Sequence, residues 1–218
     1  MTDKGRLFEE FDRHLLEDEK PSCYFNEKEK TGIFRELYPF TMLGVLPSVK
    51  QSPKYHPEGN VWNHTMQVVD RAAERKGQSQ KPRVLMWSAL LHDLGKAPTT
   101  KIQKGRITAY DHDVVGEKLA VQFLRELTDD EEFIHDVAKM VRWHMQILFV
   151  VKDLPFANLE GMTAEVPIDE IALLALCDRL GREPMSREMF HEELKNVEIF
   201  RHKCWEYLKQ RSVHDKTL

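Results

Sequence analysis

The segment Trp87-Ser-Ala-Leu-Leu-His-Asp-Leu-Gly-Lys96 constrains the fold of this chain more than any other. Val84, Leu85, Trp87, Ser88 and Leu91 make its N-terminal side largely apolar, with Pro82 suited to a first helical turn. A helix apolar on nearly every side must be wrapped by other elements, so the pattern predicts a buried central helix. That helix runs into His92-Asp93, and polar groups ending a buried run need partners, because leaving them unpaired costs several kcal/mol. An imidazole beside a carboxylate, with Gly95 following to turn the chain, can reach one cation. The pair equally fits a helix-terminal histidine next to an exposed aspartate, and by itself leaves both readings open.

The rest of the chain surrounds this segment with helical patterns. Leu7, Phe8, Phe11 and Leu15 predict an amphipathic helix over Thr2–Glu17, and Ile33, Phe34 and Leu37 a short one ending near Pro39. Glu27 to Lys30 reads as a solvated charged stretch. Pro47, Pro53 and Pro57 make an extended loop between Leu46 and Gly59, the boundary between a helical N-terminal arm (1–50), packing on the body, and the body itself (51–218). Beyond it, Thr65, Val68, Val69, Ala72 and Ala73 share a helical face that stops at Gly77, while Gly95 and Pro98 end the central helix. Lys104-Gly105 between Ile102 and Ile107 suggests one short β-hairpin within 101–110. Asp113 is placed to cap a helix reaching Leu127, and Asp129 or Asp130 to cap one striped by Ile134, Val137, Val141, His144 and Leu148. Pro167 and Asp169 open an apolar helix ending at Asp178, and a last helix covers about Ser186 to Gln210. The expected class is all-α, a helical bundle with that hairpin.

Composition narrows the function. With 32 Lys+Arg against 36 Asp+Glu, the formal charge is -4, which excludes the strongly basic footprint of a dedicated nucleic-acid binder. The longest apolar run, Ile171 to Cys177, is far shorter than the roughly 20 residues of a membrane helix, and no signal peptide is evident at Met1. Cys23, Cys177 and Cys204 lack CxxC spacing and read as thiols of a reducing cytoplasm.

Ten histidines remain to be placed. His64 lies near the start of its helix on the side of Val68, and Asp178 closes the most apolar stretch, where a carboxylate needs a cation or Arg179 to compensate it. Together His64, His92, Asp93 and Asp178 offer mixed nitrogen and oxygen ligation to a divalent metal. This ordered set resembles the H…HD…D signature of the HD-domain metal-dependent phosphohydrolase superfamily. Lys54-Tyr-His-Pro-Glu-Gly-Asn-Val-Trp-Asn-His-Thr-Met-Gln-Val-Val-Asp70, Leu90-Leu-His-Asp-Leu-Gly-Lys-Ala-Pro-Thr-Thr100 and Tyr110-Asp-His-Asp-Val-Val-Gly-Glu-Lys118 are similar to the HD domain of bacterial CCA-adding tRNA nucleotidyltransferases. The likeness runs from about Pro21 to Gly181. No Gly-rich strand-turn with paired aspartates precedes it, so CCA addition is not expected.

The resemblance implies an HD helical bundle and two divalent ions (among Mn, Fe, Co, Ni, Zn and Mg), with Asp93 bridging them and His112 and His144 completing the set. Read from the residues alone, His112 is equally a loop histidine and His144 a core one. The implied reaction is hydrolysis of a small phosphomonoester or phosphodiester, such as a nucleotide or cyclic nucleotide, by a metal-activated water. Asp93 orients that water and Lys96 meets a phosphate oxygen; Arg179 and Arg182 either bind phosphate too or pair with Asp178 or Glu183. A di-iron oxygenase and a non-catalytic scaffold binding RNA are the competing readings, with RNA the less favoured partner. His14, His135, His191, His202 and His214 are expected to be solvated, and His56 to line the cleft without ligating.

Overall fold

Residues 3–214 are described in the computed structural model, and their regular structure is helical apart from one hairpin. The order begins α1 (Asp3–Glu17), α2 (Pro21–Lys30), α3 (Ile33–Glu36) and α4 (Thr41–Gly44), with a 3₁₀ turn at Leu46–Ser48. After the Pro-rich loop come α5 (Val61–Ala73), α6 (Pro82–Leu91) and α7 (Lys96–Thr99), then the strands β1 (Lys101–Gln103) and β2 (Arg106–Thr108). The chain continues through α8 (His112–Arg125), α9 (Glu131–Trp143), α10 (Gln146–Val151), α11 (Leu159–Glu165), α12 (Ile168–Leu180) and α13 (Arg187–His214). His214 ends α13, and its side chain lies outside the described residues.

The central position expected of α6 is realised. Every side chain from Leu85 to Leu91 is buried, and the helix packs against α1, α5, α9 and α12. Helix α12, similarly apolar all round, lies between α5 and α13. The N-terminal residues join this same core. Phe11 contacts Phe25, Phe34, Phe40 and Trp87, its ring lying 4.7 Å from that of Phe25 and edge-on to it. Asp12 Oδ1 accepts hydrogen bonds of 2.8 Å from both Arg83 Nε and Trp87 Nε1, tying α1 to α6.

Local chemistry explains most boundaries. Asn60, Asp130 and Asn158 each accept the N3 backbone N–H of the helix they precede. Lys104 and Gly105 both have positive φ, the left-handed pair a tight two-residue hairpin requires, and they set Ile102 opposite Ile107. Several boundaries differ from the expected ones. Helix α8 starts two residues earlier than a cap at Asp113 would place it; Asp113 sits in the first turn, where its carboxylate accepts from Arg142 Nη1 at 2.7 Å. Helix α6 ends at Leu91, and Pro98 falls inside α7, within a first turn that needs no N–H from it. The stripe through His144 breaks there into α9 and α10, while α5 stops at Ala73. Glu27–Lys30 closes α2, with Lys28 bonded to Glu10 at 2.6 Å.

Gly95 brings two backbones together behind the His92-Asp93 turn. A Cβ there would stand 1.9 Å from the His112 carbonyl oxygen and 2.7 Å from the Gly116 nitrogen. Gly95→Ala must push α8 away, and overpacking of this kind costs about 1–3 kcal/mol. We expect thermal melts to show a Tm lower by roughly 3–10 °C for a chain of this length. Gly77→Ala, with nothing within 4 Å of the added carbon, should melt with the parent. Equal stability of both variants would show that the Gly95 contact constrains nothing.

Candidate metal centre

Helix ends build the site. The last carbonyls of a helix lack intrahelical donors, and two histidines exploit this. His92 Nδ1 donates to the Ala89 carbonyl at 2.9 Å in the last turn of α6, and His144 Nδ1 to the Val141 carbonyl at 2.6 Å in the last turn of α9. His112, opening α8, repeats the device with the Ala109 carbonyl at 2.7 Å. A carbonyl only accepts, so Nδ1 carries the proton in all three rings, and Nε2 of the neutral ring holds the lone pair.

Those Nε2 atoms converge on Asp93, which is 1% exposed. His112 and His144 stand 3.6 and 3.9 Å from Oδ1; His92 and His64 stand 3.3 and 3.8 Å from Oδ2. His64 comes from α5. Its Nδ1 faces Glu58 Oε1 at 2.8 Å and the Gly181 carbonyl at 3.2 Å, and its Nε2 faces Asp178 Oδ1 at 2.9 Å. Two groups of donors thus share Asp93: His64 and His92 on one side, His112 and His144 on the other.

The donor set fits divalent cations on an observation independent of its composition. His112 Nε2 and His144 Nε2 are 3.2 Å apart, so two lone pairs face each other with no proton between them. Two nitrogens bound at about 2.1 Å to one ion stand roughly 3.0–3.4 Å apart. Burial pushes His144 down to about 3 and lowers His112, so both rings stay neutral and able to ligate. His92 Nε2 is buried without a hydrogen-bond partner, and so is Asp93 Oδ2, although Lys96 Nζ stands 2.7 Å from it. Against their burial, Asp93 is held well below the carboxylate range by its close neighbours His92 and Lys96, and Asp178 by Arg182 and His64.

A cavity of about 480 Å³ opens in front of this cluster. Asp93, His112, His144 and Asp178 form its floor, and Lys96 and Arg182 stand in its wall. Lys96 Nζ donates to Gln51 Oε1 at 2.6 Å; Arg182 Nη2 lies 3.1 Å from Asp178 Oδ2. The structure therefore gathers His64, His92, Asp93, His112, His144, Asp178, Lys96 and Arg182. It does not bring in Arg179, whose guanidinium points away to Glu193 on α13 at 2.9 Å. His135, His191 and His202 are exposed as expected, whereas His14 is partly buried, bonded to Asp18 and stacked on Tyr24 at 3.7 Å. His56 lines the cavity, as expected.

Two residues of the Pro-rich loop, Glu58 and Gln51, join the site without having been singled out by the sequence pattern. Glu58 Oε1 accepts from the Nδ1 atoms of both His56 and His64 at 2.8 Å. Burial opposes its charge, but those two bonds outweigh it and hold the carboxyl near 2. The only sequence hint was the position of Glu58 six residues before His64, in a loop that must cross the mouth of the site. No helix among the described residues is long and apolar enough to cross a membrane.

Comparison with known proteins follows the same residues. The chain is 32% identical over 142 residues to a multifunctional CCA protein of Alkalilimnicola ehrlichii, covering 65% of this chain and 32% of that protein. It is 33% identical over 119 residues to one from Actinobacillus pleuropneumoniae (53% and 28% covered), and 37% over 98 residues to one from Pasteurella multocida (44% and 22% covered). The chain thus spans at most about a third of these relatives' length. The HD domain model matches residues 61–183, from the first residue of α5 to just past α12. With more than half its length inside that match, the chain belongs to the HD domain family, within the metal-dependent phosphohydrolase superfamily.

Proposed function

We propose that this chain hydrolyses a phosphomonoester or phosphodiester of the nucleotide or cyclic-nucleotide class in a metal-dependent reaction. The observation that carries this reading is Asp93, each of whose oxygens faces a pair of histidine nitrogens beneath a cavity walled by cations. His64, His92, Asp93 and Asp178 would hold one divalent ion, and Asp93, His112 and His144 a second. Bound there, the metals supply a water of lowered pKa and neutralise phosphate charge.

The chain's own groups do the rest. Asp93 shares its two oxygens between the two ligand groups and, buried among them, is fixed in orientation. Lys96, steadied by Gln51, presents its ammonium to a phosphate oxygen at the cavity wall, where water is scarce and charge acts strongly. Arg182 keeps Asp178 ionised and aligned and adds a second positive group on the same side. Glu58 fixes the His64 tautomer so that Nε2 faces the centre. Lys96 and Arg182 beside the centre favour phosphate over dioxygen chemistry, and a complete ligand set argues against a scaffold role. In this reading residues 1–50 are a helical arm, supported by Phe11 and Asp12 packing on α6, and 51–218 the HD body.

Three measurements test it. Mn²⁺, Co²⁺ or Ni²⁺ at about 100-fold above Kd should add about 2.7 kcal/mol of stability, raising Tm by roughly 5–10 °C in a manner reversed by chelator. His144→Ala and His92→Ala should each lose most of that shift, and melting indifferent to every metal would sink the reading. Metal-loaded protein should turn over at least one member of a panel of nucleoside monophosphates, cyclic nucleotides and aryl phosphodiesters. Asp93→Asn should then lose at least ~100-fold in kcat and Lys96→Met ~10–100-fold in kcat/KM, with Arg179→Met within about threefold per folded molecule. A silent panel at full metal occupancy would overturn the assignment.

A further inference from the structure

Six exposed cations gather at the cavity mouth and along the hairpin beside it: Lys50, Lys54, Lys101, Lys104, Arg106 and Lys152. Among the described residues none of the six meets a carboxylate. Elsewhere Lys4, Lys28, Lys81, Lys139 and Lys203 each do, while Lys20, Lys30, Lys118, Lys195 and Lys209 do not, so what sets the six apart is that they lie together around one opening, in a chain whose acids outnumber its bases. The cause lies in the sequence. Residues 37–57, 94–110 and 137–152 contain no Asp or Glu, and all three stretches supply walls of the cavity. Lys50 and Lys152 line it directly, and Lys54 lies over the ring of Tyr55, another wall residue. Thr108 is shared with a second, open concavity formed by Gln103, Lys104, Arg106 and Tyr110, so the positive path continues across the hairpin. The rings of Tyr55 and Tyr110 are 59% and 77% exposed, one at each end of that path.

One small phosphate needs only Lys96 and Arg182. Six further unneutralised charges, laid out from the cavity wall across the hairpin, match phosphates in series, and the exposed aromatic rings at either end match unpaired bases, which stack on such platforms. We propose that this face binds a single-stranded polynucleotide, with the strand crossing the hairpin and its end directed into the cavity. A duplex does not fit, because its bases are already stacked and the cavity has room for about a nucleotide. The inference rests on the hydrolase reading only for which end of the strand enters; the binding itself does not require turnover. It gives the net charge of -4 a different meaning, since the acids lie elsewhere.

The test is fluorescence anisotropy of the full chain with a labelled 12-nucleotide single-stranded RNA, the DNA of the same sequence and the RNA duplex, alongside turnover of a small phosphodiester. Either single strand should bind, with log Kd against log salt sloping by about 2–4. Lys101→Glu/Lys104→Glu/Arg106→Glu should weaken binding at least tenfold, flatten the slope by about 2 and leave small-substrate turnover within twofold. Lys104→Gln alone, at the exposed turn, should act in the same direction and covers a triple variant that fails to fold. Tyr110→Ala should weaken binding severalfold without changing the slope. Triple-variant binding equal to the parent, or a duplex or poly-glutamate that binds as well as the single strand, would overturn the proposal. Strand binding with these sensitivities but no hydrolysis of any small phosphate would support it while refuting the hydrolase reading.

Discussion

An ionised carboxylate at the centre of an apolar bundle is the constraint from which the rest of this structure follows. Asp93 has almost no contact with solvent, and a buried charge persists only where partners surround it. Each neighbouring element delivers one: His64 from α5, His92 from the end of α6, Lys96 from α7, His112 from the start of α8 and His144 from the end of α9. Helix α12 adds Asp178, itself escorted by Arg182. That requirement accounts for a core in which α5, α6, α7, α8, α9 and α12 each point a terminus, and not a middle, at the site. Termini are where unpaired carbonyls are available to fix an imidazole by its far nitrogen.

How much of this was legible in the sequence depended on whether a residue sat in a periodic element. His64, His92, Asp93 and Asp178 could be placed because each lies on a helical pattern or closes an apolar run, so burial and direction followed from spacing. Helix geometry also separates the two arginines, which spacing alone left equivalent. Arg182 lies four residues after Asp178 and shares its face, whereas Arg179 is turned about 100° away and reaches α13 instead. Gln51 and Glu58 were invisible for the opposite reason. A Pro-rich loop has no period, and nothing in its composition tells which side chain folds inward. Helices α2, α4 and α11 escaped notice because each is short and anchors few buried residues: Pro21 and Phe25, Leu43, and Met162.

The site is divided between two kinds of structure. Its floor is made by helix ends locked into the core, reinforced by the backbone contact of Gly95 with α8. Its rim is made by the Pro-rich loop, the hairpin with the turn after it and the end of α10, which together carry the exposed cations and tyrosines. Packing precision is therefore concentrated around Asp93 and its histidines, and relaxed around the mouth of the cavity.

The hairpin has a consequence for how such a protein changes over generations. Its feet, Thr100 and Ala109, are set in the cavity wall between α7 and α8, while its three-residue strands project outward around Lys104-Gly105. Insertions, deletions or charge swaps at the tip leave those feet, and every residue of the floor, where they are. Length and charge at the tip can therefore vary independently of the groups that converge on Asp93.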